Sequence, residues 1–450
     1  PHHSKGWMNL ATSLQLIYQY QPQESYFTLA DESFDQVAKL DPQNVELWIK
    51  WGQLYSFKGR ITRDIDRLYE SCKKFEIAEI CEQNHPLIFS SWGEALMLIG
   101  AWTENLSCLQ QSQQKIINSL EIQSDNSHVW CIYGNCLNEL GKYFGDHSYF
   151  EHAAEKFRYG IKFDSRSYLL WHGLALAYFG IGQLNNSLEL IEESTKCYIK
   201  AVRCGSPPSP QFWNDWGVTL IKLAHVTGEK RHLVSALKKF EMALHYVTDV
   251  QDMGLLDPEW LFNYGSALEF LGELEEEASH YEKAIQAMEK VLEIDPGYHL
   301  AHFNLGALYS NLGDFEADPE HFQSSMKHFE TYLSIEVEDD FAWNEWGVTL
   351  LYFAELIKDP SRPDDAQKLY KDAESKLLHA IALGNTSALY HLACLYSLTG
   401  KVAASIHYLE RSEQNHALPS IDELSKDEWL EGIRGTTHFR SFLSHLQRNR

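Results

Sequence analysis

The stretch Trp48-Ile49-Lys50-Trp51-Gly52-Gln53-Leu54-Tyr55 sets two tryptophans, a glycine and a tyrosine along one side of a helix. Spacings of three and four residues share a helical face. A glycine on such a face lets a second helix approach closely, and the flanking aromatic groups fill the space beside it. The phrase recurs from end to end. Clear copies are Trp130-Cys131-Ile132-Tyr133-Gly134, Trp213-Asn214-Asp215-Trp216-Gly217 and Trp343-Asn344-Glu345-Trp346-Gly347, and weaker ones centre on Ala11, Gly93, Gly173, Gly265, Gly306 and Ala393. The small-residue anchors therefore stand at 11, 52, 93, 134, 173, 217, 265, 306, 347 and 393, in steps of 41, 41, 41, 39, 44, 48, 41, 41 and 46. A period of this length marks a repeat architecture, so the 450 residues are not three ordinary domains.

A second phrase follows each anchor, as in Ala30-Phe34 before Asp41-Pro42, Ala153-Phe157-Gly160, Ala236-Phe240-Ala243, and Ala284-Met288-Val291 before Asp295-Pro296. Its spacing is again helical, and proline after the run stops the helix. Each unit thus reads as two amphipathic antiparallel helices. The segments Trp213–Leu220 and Trp343–Leu350 agree at seven of eight places, three repeats apart, which reads as a trace of block duplication, the alternative being convergence on one groove-facing Asn.

Trp48, Trp51, Gly52 and Tyr55, with His302, Leu305, Gly306, Tyr309, Ala284, Met288 and Pro296, make the chain resemble the tetratricopeptide repeat (TPR) family. The resemblance implies an all-α fold, a right-handed α-α superhelix of about ten helix pairs. The family period is 34 residues. This chain runs about seven longer, roughly two helical turns. Part of the excess is expected in connections such as Gly141–Phe150 and Asp314–Phe322, and the rest in longer helices. A period near 41 also suits HEAT or half-TPR arrays, the latter often met in RNA processing; the retained Gly anchors and Asp-Pro turns favour TPR. Residues 1–418 read as the array. Residues 419–450, with Trp429-Leu430, Ile433-Arg434 and Phe439 to Leu443, resemble the segment that caps many bacterial TPR arrays. The first repeat begins abruptly at Trp7, so either residues precede it or that end contacts something.

Lys and Arg number 38 against 63 Asp and Glu, a net charge of −25. Such a surface repels phosphate backbones, which argues against nucleic acid as a partner. No apolar stretch approaches the ~20 residues of a membrane span, so no membrane insertion is expected. The eight cysteines show no C-x-x-C pair and read as free thiols in a reducing, cytoplasmic compartment.

Catalytic motifs are missing: there is no G-x-S-x-G, GxxxxGK[ST] or HExxH, and no Gly-rich nucleotide loop. The pairs His299/His302 and His225/His232 lack accompanying carboxylate or thiolate ligands, and Glu275-Glu276-Glu277 reads as a solvated helix start. No enzyme activity, metal or cofactor is expected. The anchor tryptophans read as packing residues. In the family, the opposite face of each first helix lines a groove that binds peptides or partner helices. Carrying those positions over, three before the anchor and one and five after it, selects Leu170, Leu174, Tyr178, Asn214, Phe262, Phe270, Phe303, Asn344, Tyr352 and Tyr390 as a partner-binding groove. Glu94 and Glu139 fringe it toward the N-terminal half, and Lys222 is its one basic member, so the Lys/Arg/Asn clamp that other TPR domains use for a terminal carboxylate is lacking. Asn214 and Asn344 are expected to hydrogen-bond a partner's backbone. The expected function is a protein-protein scaffold or chaperone-like adaptor for a protein or peptide with apolar anchors and net positive charge. The alternatives are a half-TPR RNA-processing scaffold and an accessory module of a larger enzyme.

Overall fold

The computed structural model describes residues 3–205, 209–248, 256–359, 361 and 363–449. Among the described residues there are 23 α-helices and one 3-10 turn, and no strand. The chain divides into two compact units, Pro1–Glu229 and Lys230–Arg450. The first unit holds α1 (Ser4–Tyr20), α2 (Glu24–Leu40), α3 (Val45–Thr62), α4 (Ile65–Cys81), α5 (Pro86–Trp102), α6 (Leu106–Ile122), α7 (Ser127–Phe144), α8 (His147–Phe163), α9 (Tyr168–Leu184), α10 (Leu188–Arg203) and α11 (Pro210–Thr227). The second holds α12 (Lys230–Thr248), α13 (Pro258–Glu275), α14 (Ala278–Ile294), α15 (His299–Glu316), α16 (Pro319–Leu333), α17 (Asp340–Leu356), α18 (Pro363–Leu383), α19 (Ser387–Leu398) and α20 (Val402–Gln414). After these come α21 (Ile421–Lys426), the 3-10 turn Glu428–Leu430, α22 (Glu431–Arg434) and α23 (Thr437–Asn449).

Local chemistry explains where the helices begin. Asn44, Asp64, Asn105, Asn126, Asp146, Asp318 and Asp339 are N-caps whose side chains accept a backbone N–H of the first turn. Within several pairs the whole turn is two residues, one in the left-handed region and then an acidic residue at the cap position. Arg63 (φ 52°), Gly145 (62°), Glu276 (52°) and Ala317 (54°) take the first place, before Asp64, Asp146, Glu277 and Asp318. This corrects the expectation of long connections. Gly141–Phe150 and Asp314–Phe322 are helix except for these two residues. The extra length of the repeat lies in the helices, most of 17 or 18 residues and so about 25–27 Å long.

The anchors do what their size suggests. A Cβ built on Gly134 would stand 2.5 Å from Phe157 Cζ, and one on Gly173 2.2 Å from Phe157 Cε1, so a single fully buried ring is wedged between two glycines of successive first helices. Gly52 against Phe75 and Gly306 against Phe329 repeat the contact at 2.6 and 2.9 Å. The first tryptophan of the phrase ties down the loop before it. Its Nε1 donates to the carbonyl six residues earlier, Trp48 to Pro42 (2.8 Å), Trp130 to Ser124 (2.8 Å) and Trp343 to Val337 (2.9 Å). The second aromatic is covered by a lysine of the following helix, with Lys74 3.7 Å from the Trp51 ring centre, Lys115 3.6 Å from Trp92 and Lys376 3.6 Å from Trp346. At the C-terminal end Leu424, Leu430, Ile433, Phe439, Phe442 and Leu446 form one core with Ala393, Cys394 and Leu409.

Two outcomes are expected in urea denaturation followed by circular dichroism. Gly134→Val, forced against Phe157, should cost about 1–3 kcal/mol, whereas Gly6→Ala, whose new Cβ meets nothing closer than 3.9 Å, should cost nothing. Ala317→Gly should stabilise by about 0.5–1 kcal/mol, because relief of the left-handed strain exceeds the added unfolded-state freedom.

Candidate functional site

Within each unit the first helices of neighbouring pairs touch one another, as α1 with α3, α3 with α5, α5 with α7, α13 with α15, α15 with α17 and α17 with α19. The second helices of neighbouring pairs make no comparable contact among the described residues. The first helices therefore line the inner face of each unit, and polar bridges floor it: Gln53 Nε2 to Ser91 Oγ (3.1 Å) and Asn138 Nδ2 to the Gly173 carbonyl (3.3 Å) in the first unit, Asn304 Nδ2 to Ser266 Oγ (3.1 Å) and Thr349 Oγ1 to Ser310 Oγ (3.0 Å) in the second.

The first unit's inner face is polar and internally paired. A cavity of about 290 Å³ is lined by Gln19, Gln53, Ser56, Phe57, Arg60 and Glu94 among others, and Arg60 Nη1 donates to Glu94 Oε1 at 3.3 Å. The groove residues expected here are mostly enclosed. Leu170 and Leu174 are 1% and 3% exposed and belong to the core, Leu170 lying where a Cβ on Gly160 would meet it. Asn214 is 1% exposed. Tyr178 is half-buried, its hydroxyl accepting from Arg158 Nη2 at 2.6 Å.

The second unit differs. Phe262, Phe270 and Phe303 keep part of their surface open. Phe262 leans on Tyr298, and Phe303 on Phe329, Tyr332 and the exposed Phe341, with ring centres 5.2–5.9 Å apart. Asn344, 2% exposed, faces its neighbours: it donates to Glu345 Oε1 (3.1 Å), leaving its Oδ1 to accept from His391 Nδ1 (2.8 Å). Burial pushes His391 down to about 4, which keeps the ring neutral and suited to that single donation. Tyr352 and Tyr390 are taken up by the chain's own C-terminal segment. The Tyr352 ring lies 4.7 Å from Trp429, and the Tyr390 hydroxyl donates to Asp427. Four of the ten expected groove residues, Leu170, Leu174, Asn214 and Asn344, thus do not reach a partner. At Leu170, Asn214 and Asn344 the position three before the anchor is enclosed by neighbouring side chains, whereas at Phe262 and Phe303 the same position stays partly open.

The inner face also holds residues that the family positions did not select. Glu269 and Glu273 stand one turn apart on α13, and Glu269 feels the charges of Glu273 and of Glu345 on α17. Burial, with the like charges of Glu273 and Glu345 adding to it, pushes Glu269 up to about 8, and burial also raises Glu273, Glu345 and Asp314. Two acids at i, i+4 in the otherwise apolar run Ala267–Leu274 were the visible signal.

The acidic run, read as a solvated face or helix start, does stand at a helix start with Glu276 and Glu277 exposed, and it clasps the turn there. Glu277 sits at the N-cap of α14, Glu275 pairs with Lys230, and His280 Nε2 lies 2.7 Å from Glu275 Oε2. Among the described residues this is the group of three acidic or imidazole side chains whose ligand atoms gather within 4.8 Å. His299 stands 3.2 Å from Glu336, and His302 shares a 2.9 Å contact with His328, so the two do not converge. All eight cysteines are free thiols, and no helix among the described residues is long and apolar enough to cross a membrane.

Two family models described as tetratricopeptide repeat match residues 266–298 and 287–317, within α13 to α15 and its following turn. No curated protein matches the sequence. Among solved structures the chain is similar in fold to YrrB, described as a TPR protein with an unusual peptide-binding site (19% identity, 50% of this chain and 95% of that one, TM-score 0.33). It is similar also to a tetratricopeptide repeat protein from Parabacteroides merdae (12%, 65% and 96%, TM-score 0.40) and to the human IFIT1 dimer with PPP-AAAA (15%, 93% and 96%, TM-score 0.38). The matched repeats at 266–317 and the recurrence of one helix pair, with its glycine-aromatic contact, through both units make this chain a tetratricopeptide-repeat protein.

Proposed function

We propose that the chain is a non-enzymatic scaffold for protein-protein interaction, an adaptor that holds a partner segment with apolar anchors and net positive charge on the inner face of its second unit. The observation that carries this reading is that Phe262, Phe270 and Phe303 keep part of their surface open on first helices of the second unit, which also carry Glu269, Glu273 and Glu345. A phenylalanine side chain buried against a partner contributes about 1.5–3 kcal/mol, so two or three anchors suffice for a specific complex. The carboxylates select the sign of the partner, and the net charge of −25 steers basic segments from a distance. In the first unit an acid of the inner face, Glu94, already holds Arg60, and the binding face is therefore assigned to the second unit. Residues 419–450 then close the array formed by residues 1–418, and the eight free thiols suit a reducing, cytoplasmic setting.

Fluorescence anisotropy with basic-apolar and acidic-apolar peptides of equal length tests the reading. Basic peptides should bind, and their affinity should fall as salt rises. Phe262→Ala/Phe303→Ala should weaken binding by roughly tenfold or more. Equal binding of both peptide classes at low salt would sink the charge assignment. Single-stranded RNA should give no gel shift at low salt; a salt-sensitive shift would favour the half-TPR, RNA-processing alternative instead.

A further inference from the structure

Away from the inner face, the second helices α16 and α18 make no contact comparable to those within a pair, and the space between them lies over α17. It holds a cavity of about 550 Å³ lined by Met326, Trp346, Leu350, Phe353, Leu369 and Lys376 among others. Trp346, Leu350, Phe353 and Ile357 succeed one another along one stripe of α17, so the cavity follows that helix for about 16 Å. One group in its lining is unsatisfied. Trp346 Nε1 is shielded from solvent and makes no hydrogen bond with the described residues. A buried N–H without an acceptor is unfavourable for the free protein.

The second repeat shows which acceptor is missing. Trp51 precedes Gly52 as Trp346 precedes Gly347, and each ring carries the ammonium group of a lysine from the following helix, Lys74 at 3.7 Å and Lys376 at 3.6 Å. Each lysine stands one residue before the side chain that meets the anchor glycine, Phe75 or Leu377. Glu70 and Asp35 act on Lys74, and Asp372 and Glu330, at the same register, act on Lys376. The two sites part at one acid. Asp31, 21 residues before Gly52, accepts from Trp51 Nε1 at 2.7 Å and from the Tyr55 hydroxyl at 2.9 Å. The residue 21 before Gly347 is Met326, and Leu350 stands in the place of Tyr55. The later repeat therefore keeps the indole and its lysine, lacks their carboxylate, and presents an apolar cavity beside them.

We propose that this cavity binds a small monocarboxylic acid with an apolar body, its carboxylate accepting from Trp346 as Asp31 accepts from Trp51, and its body lying along Leu350, Phe353 and Leu369. The site is separate from the inner face and does not depend on the scaffold reading. Its volume is that of a small-molecule site. A carboxylate is the acceptor that this fold already uses on the same indole, and a charge-assisted bond is stronger than a neutral one. Lys376 and Lys368 draw the acid to the rim, while Asp365 and Asp372 on that rim disfavour ligands with more than one negative charge. Met326, unbranched and flexible, can move off the indole as the acid enters.

Titration calorimetry on the full chain with octanoate, with octanol and with an acidic-apolar peptide tests the proposal. Octanoate should bind one to a chain, and octanol, with the same body and no charge, should bind roughly tenfold or more weakly. Met326→Asp restores the side chain found at position 31; it should fold, and should weaken octanoate binding by roughly tenfold or more. Trp346→Phe keeps a ring under Lys376 but removes the N–H, and should bring octanoate down toward octanol. If Met326→Asp does not fold, Trp346→Phe decides alone. Equal binding of octanoate and octanol, octanoate binding undiminished by Trp346→Phe, or no octanoate binding at all overturns the proposal. Binding of the peptide without octanoate overturns it too, and assigns the cavity to a partner's acidic side chain instead.

Discussion

Everything in this molecule depends on how closely the two helices of a pair approach. Phe157, with Gly134 on one side and Gly173 on the other, shows the constraint most sharply: one buried ring fills the space left by two absent side chains, and so joins its own pair to the next. Gly52 with Phe75 and Gly306 with Phe329 repeat it. At Gly93, Gly265 and Gly347 the aliphatic side chains of Ile116, Met288 and Leu377 take the place of the ring, and the repeated close approach is how stacked repeats gain a continuous core. The tryptophans serve the same end. Their indole nitrogens hold the loop six residues back, their faces are covered by lysines, and few are left for a ligand.

The repeat was legible because it is enforced locally. A glycine and its aromatic neighbours must stand three or four residues apart to meet the second helix, whatever the rest of the chain does, so the anchors at 52, 134, 306 and 347 could be read directly. Helix length was less legible. Nothing local separates Gly141–Phe150 as a connection from the same residues as two helix ends, until Gly145 in the left-handed region and Asp146 at the cap compress the turn to two residues.

The inner face was legible only in part, and for a physical reason. Which side of a first helix stays open depends on how neighbouring pairs stack, and that is a property of contacts some forty residues apart. Asn344 looked available, but His391 and Glu345 take up its amide; Tyr352 and Tyr390 looked like anchors, but Trp429 and Asp427 of the C-terminal segment meet them. Phe262 and Phe303 stand at the same repeat position as Asn344 yet remain partly open, Phe262 leaning on Tyr298 and Phe303 on Phe329, Tyr332 and Phe341. The acids Glu269 and Glu273 were visible in the sequence, but the contrast between Glu269, which burial and like charges hold above the ordinary carboxylate range, and the Glu275–Glu277 run, paired at a turn, exists only in three dimensions.

The proposed binding surface is the inner face of the second unit, where Phe262, Phe270 and Phe303 keep part of their surface open on helices that also carry Glu269, Glu273 and Glu345. Hydrogen exchange of the full chain with and without a bound basic-apolar peptide tests this most directly, since it reads every helix at once. The account predicts that protection on binding is concentrated in α13, α15 and α17. Protection confined to the second helices of the pairs, or to the first unit, with the peptide demonstrably bound, would contradict it.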